Sequence, residues 1–183
     1  MNIFFIDLDP VTCAEYHLDK HVIKMILEYS QLLSTSHRLL DGHQSESRTK
    51  MNRRTTLWTL DDDRESLLYK ATHCNHPSAI WARKSSGNYT WLQSLLVNLS
   101  TEYTFRYGKH HKCERDGLIA RLGCLPNNIP YGEMTPILLA MPDKYKIIDG
   151  IESYRNYYRF GKPHIHSWKG KIAGRPIPSW INN

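Results

Sequence analysis

A chain of 183 residues with 40% apolar content and a net charge of +6 is long enough to pack one domain. Its four cysteines, Cys13, Cys74, Cys113 and Cys124, form no CxxC pair, which argues against a zinc ribbon and for reduced thiols in the cytoplasm. No apolar run approaches the roughly 18 residues of a membrane span, and the N-terminus lacks the basic and apolar regions of an export signal, so no membrane partner is expected.

Ile3 to Leu8 is a short apolar run that reads as an extended arm or a short strand under the helices. Asp9 as cap and Pro10 at the first helical position open a long helix predicted over about Val11 to Leu40, with Asp41-Gly42 as its stop. Residues 43–72 read as a loop or insertion: His43 to Arg54 is polar, Thr55 to Leu60 can be extended, and Asp61-Asp62-Asp63 suits a helix cap. Pro77, preceded by Asn75 or His76, opens a second long helix with a pause at Gly87-Asn88 and an end at Tyr107-Gly108. Leu92, Leu95, Leu96, Leu99, Tyr103 and Tyr107 repeat at helical spacing along it, as a core stripe does. A shorter helix is predicted from His110 to Leu122. Pro126, Pro130, Pro136 and Pro142 then forbid a long helix and suggest a wrap over the core. Ile148 to Arg159 reads as a last helix, closed by Gly161, and residues 163–183 as an irregular basic aromatic tail. There is no internal repeat. The expected fold is mostly α, a compact single domain over 1–183 with long loops.

Charge is unevenly placed. From Lys144 to the C-terminus there are eight Lys/Arg and two acids, so the first 143 residues sum to zero. These cations interleave with Tyr154, Tyr157, Tyr158, Phe160, Trp168 and Trp180. Cations pair with phosphates and aromatic faces accept unstacked bases, so nucleic acid or a nucleotide is the expected partner. The competing reading is a tail whose aromatics pack inward.

On one continuous helix, His17, His21, Lys24 and Glu28 would share an arc of roughly 60°, beside an apolar arc of Leu18, Val22, Met25, Ile26, Tyr29, Leu32 and Leu33. Two imidazoles, an amine and a carboxylate on a rigid element can supply a nucleophile with an acid and a base. The bland alternative is a solvated face with a Lys24–Glu28 surface pair worth about 0.3–0.5 kcal/mol. His17 and His21 at i, i+4 can also share a divalent ion, with His73, His76, His164 or His166 as further ligands. No third ligand has a fixed spacing, so no metal or other cofactor is assigned. No glycine-rich phosphate loop is present.

Three stretches carry a family resemblance. The helix Asp19-Lys20-His21-x-x-Lys24-Met25-x-Leu27-Glu28, the run Asn75-His76-Pro77-Ser78-Ala79-Ile80-Trp81, and the aromatic basic end Tyr154 to Lys162 with Pro178-Ser179-Trp180 follow one another as in the phage pyrimidine-dimer DNA glycosylases. The chain thus resembles these endonuclease V-like repair enzymes and their uncharacterised bacterial relatives. The resemblance implies an all-α phage or bacterial enzyme that binds duplex DNA, extrudes a base and breaks an N-glycosidic bond, with lyase action at the abasic site. Family members attack through the amine at the chain's N-terminus, beside a helix-borne Glu. Here Asn2 follows Met1, a context in which Met1 is retained, and Lys24 stands where the family has Glu, with Glu28 one turn on. Lys24 is therefore expected as nucleophile and Glu28 or His21 as base, with His17 as relay. Lys20, His76, Arg83, Arg155, Arg159, Lys162 and Lys169 are expected on DNA, with Tyr157, Tyr158 and Trp168 stacking. A pyrimidine-modifying transferase and a non-catalytic nucleic-acid or nucleotide binder remain alternative readings.

Overall fold

The computed structural model describes residues 1–48, 51–52 and 54–182 and is mostly α-helical. Helix α1 (Pro10–Tyr16) starts as the sequence predicts: Pro10 sits in its first turn, and Asp9 accepts a 2.9 Å hydrogen bond from the Thr12 amide. The predicted continuous helix is corrected at His17 and Leu18. Both are extended, with ψ of 131° and 155°, and a new helix α2 begins at Asp19 and runs to Asp41. The physical cause is Arg106. Its buried guanidinium takes the carbonyls of Glu15 (2.8 Å) and His17 (2.9 Å), at the end of α1. The same group holds the Asp19 carboxylate at 2.9 Å. That arrangement ends one helix and starts the next.

Helix α2 buries the predicted arc of Val22, Met25, Ile26, Tyr29, Leu32 and Leu33. After it, the described residues of 43–72 include strands and a helix where the sequence suggested a loop. Strands β1 (His43–Arg48) and β2 (Arg54–Thr59) form an antiparallel ribbon, from His43 opposite Thr59 to Arg48 opposite Arg54. The one-turn helix α3 (Arg64–Leu67) follows. Gly42 makes the junction: a Cβ there would stand 2.5 Å from the Arg38 carbonyl oxygen and 2.7 Å from that of Thr59. Both are backbone atoms, so Gly42→Ala is expected to lower stability by about 1–3 kcal/mol in urea unfolding. A smaller loss than that would mean that the ribbon and α2 separate freely.

Helix α4 (Pro77–Ala82) has His76 as its cap, whose Nδ1 accepts from the Ser78 amide at 3.1 Å. The expected pause at Gly87-Asn88 falls earlier, and α5 (Ser86–Tyr107) starts behind the cap Ser85. Gly87 serves a close approach instead: a Cβ would meet the Met134 amide nitrogen at 2.4 Å, where the proline-punctuated segment crosses. Helix α5 packs against both α1 and α2, and its Leu92, Leu95, Leu96 and Leu99 are buried. It ends at Gly108, at φ 65°. Gly117, at φ 80°, divides the next predicted helix into α6 (Lys112–Arg115) and α7 (Leu118–Arg121). Residues 126–142 wrap the core as expected, with the Trp81 indole donating to the Pro136 carbonyl and Asn88 holding Thr135. Helix α8 (Gly150–Gly161) is capped by Asp149, and the tail beyond it makes two 3-10 turns. No helix among the described residues is long and apolar enough to cross a membrane.

Candidate functional site

The first residues set the site. Ile3, Phe4, Phe5 and Ile6 are all buried, so the short apolar run is an inserted extended segment. It draws Met1 and Asn2 onto α2. The Asn2 amide donates to Glu28 Oε2 at 3.3 Å, and the Met1 amine lies 3.9 Å from the same oxygen. The Asn2 side chain donates to the Ala140 carbonyl at 2.9 Å, which pins it to the wrapping segment. Lys24 Nζ reaches Glu28 Oε1 at 3.0 Å. Glu28 is therefore a mostly covered carboxylate between two primary amines. The Lys24 side chain is 68% exposed and the Met1 side chain 4%, while Met1 as a whole residue is half-buried, its exposed part being main chain.

His21 stands one turn before Lys24. Its ring stacks on Phe4 at 4.2 Å between centroids, and its Nδ1 lies 2.6 Å from the Tyr158 hydroxyl. Burial, then His17, Lys162 and Lys24, push its pKa down to about 2, so it is a neutral imidazole at neutral pH. Its Nε2 has no hydrogen-bond partner among the described residues. From α8, Lys162 Nζ lies 4.7 Å from the Tyr157 ring centre and 5.5 Å from that of Phe4. His76 completes the group: its pKa is lowered, first by burial, then by the Met1 amine and His73, with Glu28 opposing. A groove of about 350 Å³, with Pro77, Trp81, Lys84 and Ile137 among its walls, begins one residue beyond His76.

Of the expected residues, Lys24, Glu28, His21, His76, Lys162 and Tyr157 gather about the chain's first residues, and Lys20 is exposed one turn before Lys24. The others do not join them. His17 lies off α2 and is fully buried. Its Nδ1 donates to the Cys13 carbonyl at 2.7 Å, which leaves Nε2 to accept from Tyr29 at 3.3 Å. Burial, reinforced by Arg106, holds its pKa down at about 4, although the Cys13 carbonyl favours its protonated form. Its role is to fix Tyr29, whose hydroxyl accepts the Phe4 amide at 3.1 Å. Tyr158 and Trp168 are buried, and the Trp168 indole donates to the Tyr16 carbonyl, so neither offers a free face for a base. Arg155 is held by the Ile6 carbonyl, Asp7 and Glu152, and Arg159 by the Trp180 carbonyl. Arg155 thus ties α8 to the N-terminal segment and Arg159 ties it to the tail. Arg83 ends α4, half-buried, and Lys169 is exposed at a separate tail groove of about 280 Å³ over Trp168.

Sequence reasoning set the Met1 amine aside and gave Asn2 and Phe4 no part in the site. One signal points to them: four consecutive apolar residues at positions 3–6 can only be stable inside, and their burial fixes where residues 1 and 2 lie. Among the described residues no three His, Cys, Asp or Glu converge as a metal-binding group. Compared with protein-family models, with curated proteins and with solved structures, the chain gives no match.

Proposed function

We propose that this site removes a pyrimidine base from DNA by amine attack on the sugar. The Lys24 amine bonds to C1′ as the N-glycosidic bond breaks, and the base departs with the bonding electron pair. Glu28 accepts the proton that the amine gives up, and the departing base takes one from solvent. Opening of the sugar ring then gives an imine between Nζ and C1′, from which strand cleavage can follow. The observation that carries this reading is the carboxylate of Glu28 with amines at 3.0 and 3.9 Å. An ammonium is not a nucleophile, so an attacking amine needs a base within hydrogen-bond reach, and Glu28 is that base. Lys24 is preferred over the Met1 amine because it is the nearer of the two to Glu28, at 3.0 against 3.9 Å. Lys162, Lys20 and Tyr157 supply charge and an aromatic face for the phosphates and the base.

The test is borohydride trapping on abasic and ultraviolet-damaged duplexes, followed by peptide mapping of the adduct. The wild type is expected to give a covalent band on the peptide containing Lys24, and Lys24→Ala to lose it. Glu28→Gln should fold normally and slow trapping by at least about a hundredfold. An adduct on residue 1 that survives in Lys24→Ala moves the nucleophile to the Met1 amine within the same chemistry. No adduct with any amine, while salt-sensitive DNA binding persists, would replace the reading by base modification without an imine or by simple binding.

A further inference from the structure

The β1–β2 ribbon has no part in the site above, yet its outer half has a composition that fits a polyanion. Gln44, Ser45, Glu46 and Arg48 on β1 and Arg54, Thr55 and Thr56 on β2 are exposed, so this end rests on no core. Residues 48–54 carry four basic residues and no acid. Two of them, Arg48 and Arg54, are opposite each other in the register. Like charges facing across a ribbon repel, and an isolated two-stranded ribbon is already marginal. Among the described residues Arg48 Nη1 is held by Asn52, through its side-chain oxygen at 2.9 Å and its carbonyl at 3.4 Å. No carboxylate among the described residues pairs with Arg48 or Arg54. Glu46 is the only acid on the outer half, and with Arg48 and Arg54 it lines an open polar concavity of about 420 Å³. At the turn Met51 is 79% exposed, a large apolar side chain open to solvent. Asn52 takes the left-handed conformation, at φ 61°, which asparagine tolerates.

We propose that the ribbon is a second DNA-binding element, entering a groove of duplex DNA with Arg48 and Arg54 on phosphates and Met51 against a base step. The proposal rests on the reading that the chain acts on DNA. Two-stranded ribbons fit a DNA groove, and exposed apolar side chains at such tips wedge between base pairs. The anion also removes the Arg48–Arg54 repulsion that the free ribbon carries. The ribbon springs from the C-terminal end of α2, 14 residues beyond Glu28, which is about 21 Å along the helix or about six base-pair steps. Its contacts therefore lie outside the nucleotide under attack. They anchor the duplex while the Glu28 site handles the base.

The experiment measures the affinity of the full chain for a labelled 30-base-pair duplex as a function of salt, with no chemistry needed for the readout. Arg48→Ala/Arg54→Ala is expected to weaken binding at least tenfold at low salt. It should also reduce the slope of log affinity against log salt by about 1.8, two phosphate contacts' worth. Met51→Ala should leave that slope unchanged and reduce the bend measured by energy transfer between labelled ends. Wild-type binding that neither substitution alters overturns the ribbon proposal and leaves the Glu28 reading standing. A wild type with no affinity for duplex DNA overturns both. Because these side chains are exposed, thermal melting of the variants should match the wild type.

Discussion

Acidification from pH 7 to pH 5 is expected to remove about 5–6 kcal/mol of folding stability, enough to unfold a domain of ordinary stability well above the carboxylate range. Three histidines are responsible. His17 has both ring nitrogens satisfied inside the core. His21 is clamped between Phe4 and Tyr158. His37 lies with Nε2 2.8 Å from the Tyr89 hydroxyl, while its Nδ1 accepts from Arg64 at 3.1 Å. Burial is the largest cause in each, and Arg106, His17 and Arg64 respectively add repulsion; the folded pKa values fall to about 4, about 2 and about 4. An unfolded histidine titrates near 6.5. The unfolded chain therefore binds protons that the folded one refuses. Stability is whole above pH 6.5 and is lost as the pH falls toward 4. At pH 5 each histidine contributes a loss of about 2 kcal/mol. The check is urea unfolding at pH 7, 6 and 5, in the wild type and in His21→Gln. About a third of the pH dependence should vanish in the variant. A midpoint that holds steady from pH 7 to 5 would mean that these rings protonate freely in the folded protein.

The same histidines show how far the sequence could be read. Capping was legible, because Asp9-Pro10, His76-Pro77 and Gly108 act through local backbone geometry that needs no tertiary partner. The core stripes of α2 and α5 were legible for the same reason, since periodicity is a property of the segment. The break at His17-Leu18 was not. Neither residue is a helix breaker, and the group that interrupts the ladder, Arg106, is 89 positions away from His17. With the break, His17 left the stripe that grouped it with His21, Lys24 and Glu28. Gly87 was read as a pause for want of the same information: its cause is the Met134 backbone, brought in by the wrapping segment. The tail misled in a different way. Charge and aromatic content in a sequence are identical whether Arg155 and Arg159 face phosphates or face Asp7 and the Trp180 carbonyl. Only packing distinguishes the two. The ribbon at residues 43–59 lacked a pattern to read, because a strand pair exposed on both faces at its outer half has no alternation of apolar and polar residues.

Arg106→Met is expected to lower stability by about 3–5 kcal/mol, the largest loss for any single substitution considered. Arg106 is fully buried and satisfies four groups from three parts of the chain: Glu102 at 2.6 Å, Asp19 at 2.9 Å, and the carbonyls of Glu15 and His17. Met fills the volume but donates nothing. The two carbonyls would lose these bonds inside the protein, and two carboxylates would lose a counter-charge. Glu102 would keep Arg175, at 3.0 Å, and Asp19 would keep the Ser167 hydroxyl and the Gly170 amide, so the loss stops short of complete unfolding. Arg106→Lys restores the charge but not the planar fork that reaches four acceptors, and it should recover less than half of the loss. A double-mutant cycle separates charge from shape. Glu102→Gln should be clearly destabilising in the wild type and less so in the Arg106→Met background, because one of the two pairs it breaks is already gone and the pair with Arg175 remains. The consequence reaches the site. Arg106 fixes where α1 stops and at which residue α2 begins, and that start sets the direction in which Lys24 and Glu28 point. On the proposed reading, Arg106→Met should therefore lose borohydride trapping even at temperatures where it remains folded. A variant that loses less than about 1 kcal/mol would mean that water reaches these carboxylates and that the α1–α2 junction holds without the guanidinium.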